Sequence, residues 1–546
     1  MFKEEMIELT KKMVSISSVN GTEGEKNIGC FIEDYFRNIP YFKKYPKQVV
    51  VQKLKNDCLE RRNIVVLLRG EKEECDKTIL LHGHTDTVDV NDYGDLKEYA
   101  FNCDELMEKL KSVELPKEVM EDLISGDYLF GRGAGDMKGG DAVFMVLIKY
   151  LSERVDKVKG NVVLSLNPVE ENLHTGIIEA REVFEDMRKK YNLKYIFAIN
   201  NDYICPMYYN DTTKYVYTGA VGKVLPCFYI QGKETHVGQC FEGVDASLIA
   251  AELVKKINLN PEFCEQYNGE YTLPPSVLKM KDLKPEYNVQ TSFSSFVYFN
   301  YFIHNDSTIQ IMSKLKNAAY ESLEAVENII DERYREFCDL TNMNYTRLTY
   351  EKQILSYDEL LDISAKKYKG DLNQLIEKLT EELIEKNTDK REISLEIVKK
   401  LCLIASIKKT TIIIFFAAPY CPHNTLKNEV EEERNLYDNL DNLINEFSNE
   451  SKEKFKICQF FPSLSDSSYL KIDDDYDSIG KLINNFPMYK KLYKVPLEKI
   501  KAFNIPGINY GCYGKDCHKW TERLYIPYSF EILPKLILKT LDYFLE

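Results

Sequence analysis

A chain of 546 residues exceeds what one hydrophobic core normally fills, so two or more domains are expected. A hydrophobic content of 44% excludes wholesale disorder, and a net charge of −15 argues against non-specific binding to nucleic acid or to an anionic membrane. No apolar run approaches the roughly 18–20 residues of a membrane span; the greasiest, TIIIFFAA at 411–418, is short and β-branched and reads as a buried strand.

The opening segment MFKEEMIELTKKMVS is charged and amphipathic, which reads as a first helix and not as a secretion signal. That helical pattern spans 3–15 and a second spans 24–37; strand-like runs lie at 62–68, 78–83, 161–166 and 195–199. The amphipathic stretch GGDAVFMVLIKYLSERV separates the second run from the third. Strands separated by helices predict a parallel α/β sheet covered on both faces. Residues 91–125 are acidic and read as a surface excursion. From about 215 to 426 the character changes to long charged helices between strand-like pieces such as KVLPCFYIQG, which predicts an inserted domain. The α/β pattern then resumes, ending in the helix YSFEILPKLILKTLDYFLE. The expected organisation is therefore 1–214 and 427–546 as one domain, with 215–426 inserted into it. Fourteen cysteines are scattered without a CxxC pair, so free thiols in a cytoplasmic protein are expected.

Sites in open α/β sheets assemble beyond the carboxyl ends of strands. There the chain places acids and histidines repeatedly: His84 and Asp86 in GHTDTV, Glu170 and Glu171 in NPVEEN, Asp202 in AINNDY, and His518 in YGKDCHKW. The loop GRGAGDMKGG sets Asp136 at the mouth of a helix. Imidazole and carboxylate are ordinary zinc ligands, and two ions bridged by a carboxylate can clamp a water and a carbonyl. In an extended segment Asp86 falls on the same side as His84 and is placed to hold its second ring nitrogen. One member of the Glu170–Glu171 pair can ligate while the other serves as general base. His82 lies inside its strand and reads as structural. GRGAGDMKGG lacks the GK[ST] ending of a phosphate-binding loop. A thiol site at Cys512 and Cys517 is a rival that the abundance of carboxylates disfavours.

GHTDTV, GRGAGDMKGG, the glutamate pair, the acid after the next strand and the late histidine together resemble the co-catalytic zinc amidohydrolases and peptidases. That family includes aminoacylase, acetylornithine deacetylase and succinyl-diaminopimelate desuccinylase. The opening SISSVNGTEGE is similar to the family's start, and NPVEENLHTG, SDSSYL and CHKW resemble its arginine-utilisation branch. The resemblance implies a three-layer α/β/α catalytic domain with an inserted, enlarged α+β lid. It implies two zinc ions, with cobalt or manganese as substitutes. Asp136 would bridge, His84 and Asp202 would hold one ion, and Glu171 and His518 the other. Glu170 would be the general base for a bridging hydroxide and Asp86 the orienting carboxylate. Within KVLPCFYIQGKETHVG, His236 matches a lid histidine that steadies the oxyanion. Asp202 departs from the commoner glutamate, and the insert is longer than usual.

The expected activity is hydrolysis of a small amide or peptide bond, in an N-acyl amino acid or short peptide connected with arginine or ornithine catabolism. A general cytosolic dipeptidase and a non-catalytic binding module of the same fold are the alternatives. A small-molecule partner is expected, with no nucleic acid and no membrane. Because a double-length lid can take the place of a dimer partner, a monomer using His236 in cis is expected, with a lid-mediated homodimer as the alternative.

Overall fold

The computed structural model describes residues 2–546. They form two compact units, one of Met1–Val221, His423–Ile472 and Glu498–Glu546, the other of Gly222–Pro422 and Asp473–Leu497. The insertion is thus double, because Asp473–Leu497 leaves the first unit a second time.

The first unit is built on an eight-stranded sheet. Its order is Val49–Lys53, Arg62–Arg69, Asn161–Asn167, Lys77–His84, Lys194–Asn200, Gly507–Asn509, Lys214–Tyr217 and Phe455–Cys458. The four strands from Asn161–Asn167 to Gly507–Asn509 run parallel, as the alternating pattern predicts. The sheet as a whole is mixed: Arg62–Arg69 pairs antiparallel with both of its neighbours, and Lys214–Tyr217 antiparallel with Gly507–Asn509. The reason lies in the connection. Residues 70–76 are too few to carry the crossover helix that a parallel return requires.

The central strands are continuous apolar runs because both faces are covered. Ile64, Val66, Leu68, Ile79 and Leu81 join Met6, Ile28, Ile32, Val143 and Leu147 in one core. Val65, Leu67, Leu80 and Val163, turned to the other face by the two-residue period of a strand, are equally buried. Residues 91–125 are more than an excursion. They form the helices Cys103–Leu110 and Lys117–Ser125 over a small core of their own, from Val90, Tyr93, Leu106, Leu110, Val119 and Phe130, against which Trp520 packs.

The second unit is α+β. Its sheet runs Ser276–Asp282, Ser294–Ile303, Pro226–Gln231, Thr410–Phe416, Lys352–Ser356, with Gly222–Val224 also paired to Ser294–Ile303. Thr410–Phe416, the apolar run of the sequence, is buried at every position, as is its neighbour Pro226–Gln231. The long helix Thr308–Thr341 starts on a capping box, Ser307 with Gln310. Among the described residues no helix is long and apolar enough to cross a membrane.

Candidate metal centre

Every candidate ligand lies in the first unit. His84 ends its strand, Asp136 sits in the turn Ala134–Lys138 ahead of the helix Gly139–Ser152, and Glu170 and Glu171 follow Asn161–Asn167. Asp202 follows Lys194–Asn200, and His518 follows the short strand Gly514–Lys515. Parallel strands bring their carboxyl ends to one edge, which gathers His84, Glu170, Glu171 and Asp202; His518 instead comes from a small antiparallel sheet of Gly514–Lys515, Arg523–Tyr525 and Tyr128–Phe130.

The geometry centres on Asp136. His84 Nε2 lies 2.9 Å from Asp136 Oδ1, and His518 Nε2 lies 3.0 Å from Asp136 Oδ2 and 3.0 Å from Glu171 Oε1. Two groups with metal-ligating geometry share that carboxylate: His84, Asp136 and Asp202, and Asp136, Glu171 and His518, with donor atoms within 4.8 Å of one another in each. Ligand atoms on one tetrahedral zinc at ~2.1 Å stand roughly 3.4 Å apart, so this spacing fits an ion at each group. The donor set, two imidazoles and three carboxylates, is of the kind that zinc takes.

The electrostatics agree with that fit. Burial and the neighbouring Asp136 push the Asp202 carboxyl up to about 8. Burial raises Glu171 and, more strongly, Glu170. Hydrogen bonds to Asp136 and Glu171 push the His518 imidazole up to about 11. Burial alone would raise Asp136, but hydrogen bonds from His518 and His84 outweigh it and hold that carboxyl below its usual range. Acids this concentrated need protons or cations to coexist.

Local sequence explains how the ligands are aimed. Gly133 takes φ +78° in the turn before Asp136, a conformation that suits glycine. Glu522 braces that turn: its Oε1 accepts the N–H groups of Gly135 (3.1 Å) and Asp136 (3.2 Å), while Arg132 donates to its Oε2 (2.8 Å). Gly83 keeps the strand end clear, since a Cβ there would lie 2.2 Å from Asp141 Oδ1.

Asp86 is placed differently from the sequence expectation. Its carboxylate is 3.7 Å from His84 Nδ1, and the ring instead meets the Asp86 carbonyl oxygen at 3.2 Å. The carboxylate accepts the backbone N–H groups of Glu170 (3.0 Å) and Glu171 (3.1 Å) and the Asn20 amide (3.0 Å). It therefore fixes the turn that carries the glutamate pair, because two turn amides converge on the carboxylate before a side chain two residues back along the strand can reach it.

His236 belongs to the second unit, at the entry of the turn Val237–Glu242, where its Nδ1 accepts from the Gly238 N–H at 3.0 Å. His82 is fully buried and bonded to Ser467 Oγ at 3.0 Å, and burial pushes its imidazole down to about 3. Burial pushes the Cys517 thiol up and Cys512 to about 12, the opposite of what a nucleophilic thiol needs. The sequence reading passed over two side chains near Glu170, His174 and Asp466. Only the scarcity of histidine, seven in the chain, and the position of His174 four residues after Glu170 pointed to them.

A model of the peptidase family M20/M25/M40 matches residues 80–474. Protein RocB of Bacillus subtilis (strain 168) is 36% identical over 538 residues, covering 98% of this chain and 94% of the relative. Two solved structures share the fold: a tripeptidase from Staphylococcus aureus (TM-score 0.52, 14% identity, 100% of this chain and 98% of that one) and the dipeptidase Dug1p from Saccharomyces cerevisiae (TM-score 0.51, 10% identity, 100% and 96%).

Proposed function

Because the chain belongs to peptidase family M20/M25/M40 and is a metal-dependent hydrolase, we propose that it cleaves the amide bond of an N-acyl amino acid or a short peptide. The observation that carries this reading is Asp136, whose two oxygens face two different histidines, each beside a further carboxylate. His84, Asp136 and Asp202 would hold one divalent ion, and Asp136, Glu171 and His518 a second, with zinc first and cobalt or manganese as substitutes. When bound, the ion pair supplies Lewis acidity to the scissile carbonyl and to the attacking water.

The chain's own residues divide the remaining work. Glu170 belongs to neither ligand group that shares Asp136, and it is nearly buried beside them. It takes the proton of the attacking water on one carboxylate oxygen and hands it to the departing amine. Asp86 holds the backbone of both glutamates so that Glu170 and Glu171 keep separate roles. Glu522 and Arg132 keep the Asp136 turn in place. His236 is proposed for the oxyanion, as the family resemblance assigns it, within a monomeric cytoplasmic enzyme. Light scattering on a sizing column is expected to return the single-chain mass of 63.6 kDa; twice that mass contradicts the monomer.

The link to arginine or ornithine rests on the wording shared with the arginine-utilisation branch. The test is a panel of N-acetyl-L-ornithine, N-acetyl-L-arginine and arginine-containing dipeptides. Turnover of at least one, lost on dialysis against a chelator and restored by zinc, cobalt or manganese, is expected. Turnover indifferent to chelation removes the metal from the reaction.

A further inference from the structure

A third cluster stands beside the first two and has no role so far. His174 lies four residues after Glu170, at the entry of the helix Thr175–Tyr191. Its Nδ1 is 3.0 Å from Asp466 Oδ1 and 3.7 Å from Glu170 Oε1. Its ring leans on Tyr469, with centroids 5.0 Å apart. All of these groups are buried or nearly so.

Asp466 arrives from a distant part of the chain, in the buried turn Asp466–Tyr469. That turn is tied to the strands that carry the ligands. Ser467 Oγ meets His82 Nε2 at 3.0 Å, two residues before His84. The Asn200 amide donates to Ser465 Oγ at 2.8 Å, two residues before Asp202. The loop SLSDSSYL thus supplies no atom to the two groups that share Asp136, yet it is anchored to two of the strands that feed them.

Burying an imidazole against a carboxylate is unfavourable unless each satisfies the other, and here the pair abuts Glu170, which lies outside the two groups that share Asp136. A general base needs its carboxylate held in one orientation through the catalytic cycle, and the backbone bonds from Asp86 fix only the main chain. We infer that His174 and Asp466 are positioning residues for Glu170: Asp466 takes Nδ1 and so fixes the imidazole ring, and the fixed ring edge, with Nδ1 3.7 Å from Glu170 Oε1, keeps the Glu170 carboxylate turned toward the reacting water by charge and packing, not by a hydrogen bond. This inference rests on Glu170 being the proton carrier proposed above.

The test uses the full-length, metal-loaded enzyme in two measurements. The first is steady-state kinetics on N-acetyl-L-ornithine and arginine-containing dipeptides, with metal counted in every variant. His174→Ala and Asp466→Asn are expected to lower kcat roughly 10- to 100-fold, the range typical of supporting groups around a metal centre. KM and the metal count should stay near wild type. His174→Asn, which keeps an N–H near the place of Nδ1, should recover part of the loss. In a Glu170→Gln background, His174→Ala should cost little more, because residues that act through one another are not additive. The second measurement is proton NMR. A downfield ring N–H that disappears in His174→Asn should also be lost in Asp466→Asn and displaced in Glu170→Gln.

Loss of bound metal from His174→Ala would make the cluster a third ligand group and overturn the inference. So would equal losses with and without Glu170, or wild-type kcat in Asp466→Asn. If the wild-type enzyme turns over none of the probes, the proposed function fails on its own. The NMR signal then decides the pair: displacement in Glu170→Gln supports it, and an unmoved signal overturns it.

Discussion

Glu170→Gln is expected to keep the wild-type metal content and to lose roughly 10³-fold in kcat, the middle of the range for a general acid–base group and about 4 kcal/mol of transition-state stabilisation. The change is nearly isosteric, and Glu170 lies outside the two groups that share Asp136, so the ions keep their ligands. What disappears is a carboxylate able to take a proton and return it. The neighbouring position provides the contrast. Glu171→Gln removes a group 3.0 Å from His518 Nε2 and should lower metal content along with activity. Elemental analysis beside steady-state kinetics separates the two adjacent glutamates. Full turnover in Glu170→Gln, or equal metal loss in both variants, would contradict the division of roles.

Asp136→Ala is expected to take metal content below one ion per chain and to abolish turnover, because one side chain faces both histidines. His84→Ala or His518→Ala touches only one group each and should leave the other ion partly bound. Thermal unfolding gives a second readout. Ligands that bind only the folded state stabilise it by mass action, so added zinc should raise the wild-type Tm and leave Asp136→Ala almost unmoved. An Asp136→Ala variant that still holds two ions would mean that the carboxylate does not bridge.

The centre of the first unit was legible because the chain writes it locally. The runs around Val65, Leu80 and Val163 are apolar on both faces, which only doubly covered strands demand. Candidate ligands stand at or just past the ends of the strands Lys77–His84, Asn161–Asn167 and Lys194–Asn200, so strand ends alone brought His84, Glu171 and Asp202 into one view. Three features were hidden for physical reasons. The antiparallel direction of Arg62–Arg69 follows from the short 70–76 connection, and its apolar pattern, the same in either direction, does not show it. Asp473–Leu497 carries no composition shift to mark its departure from the first unit; it joins the other because Leu492 completes that unit's core. The role of the Asp86 carboxylate is set by two backbone amides more than 80 residues away, which no local spacing reveals. His174 and Asp466 were obscured for the same reason, since the pair forms across 292 residues of chain.

The most direct measurement is metal content of the purified wild-type chain, by elemental mass spectrometry after gentle desalting. Close to two zinc, cobalt or manganese ions per chain is the expected result, one for each group that shares Asp136. No metal, and no uptake when each of the three is added, would contradict a shared-carboxylate centre and the hydrolytic function proposed from it.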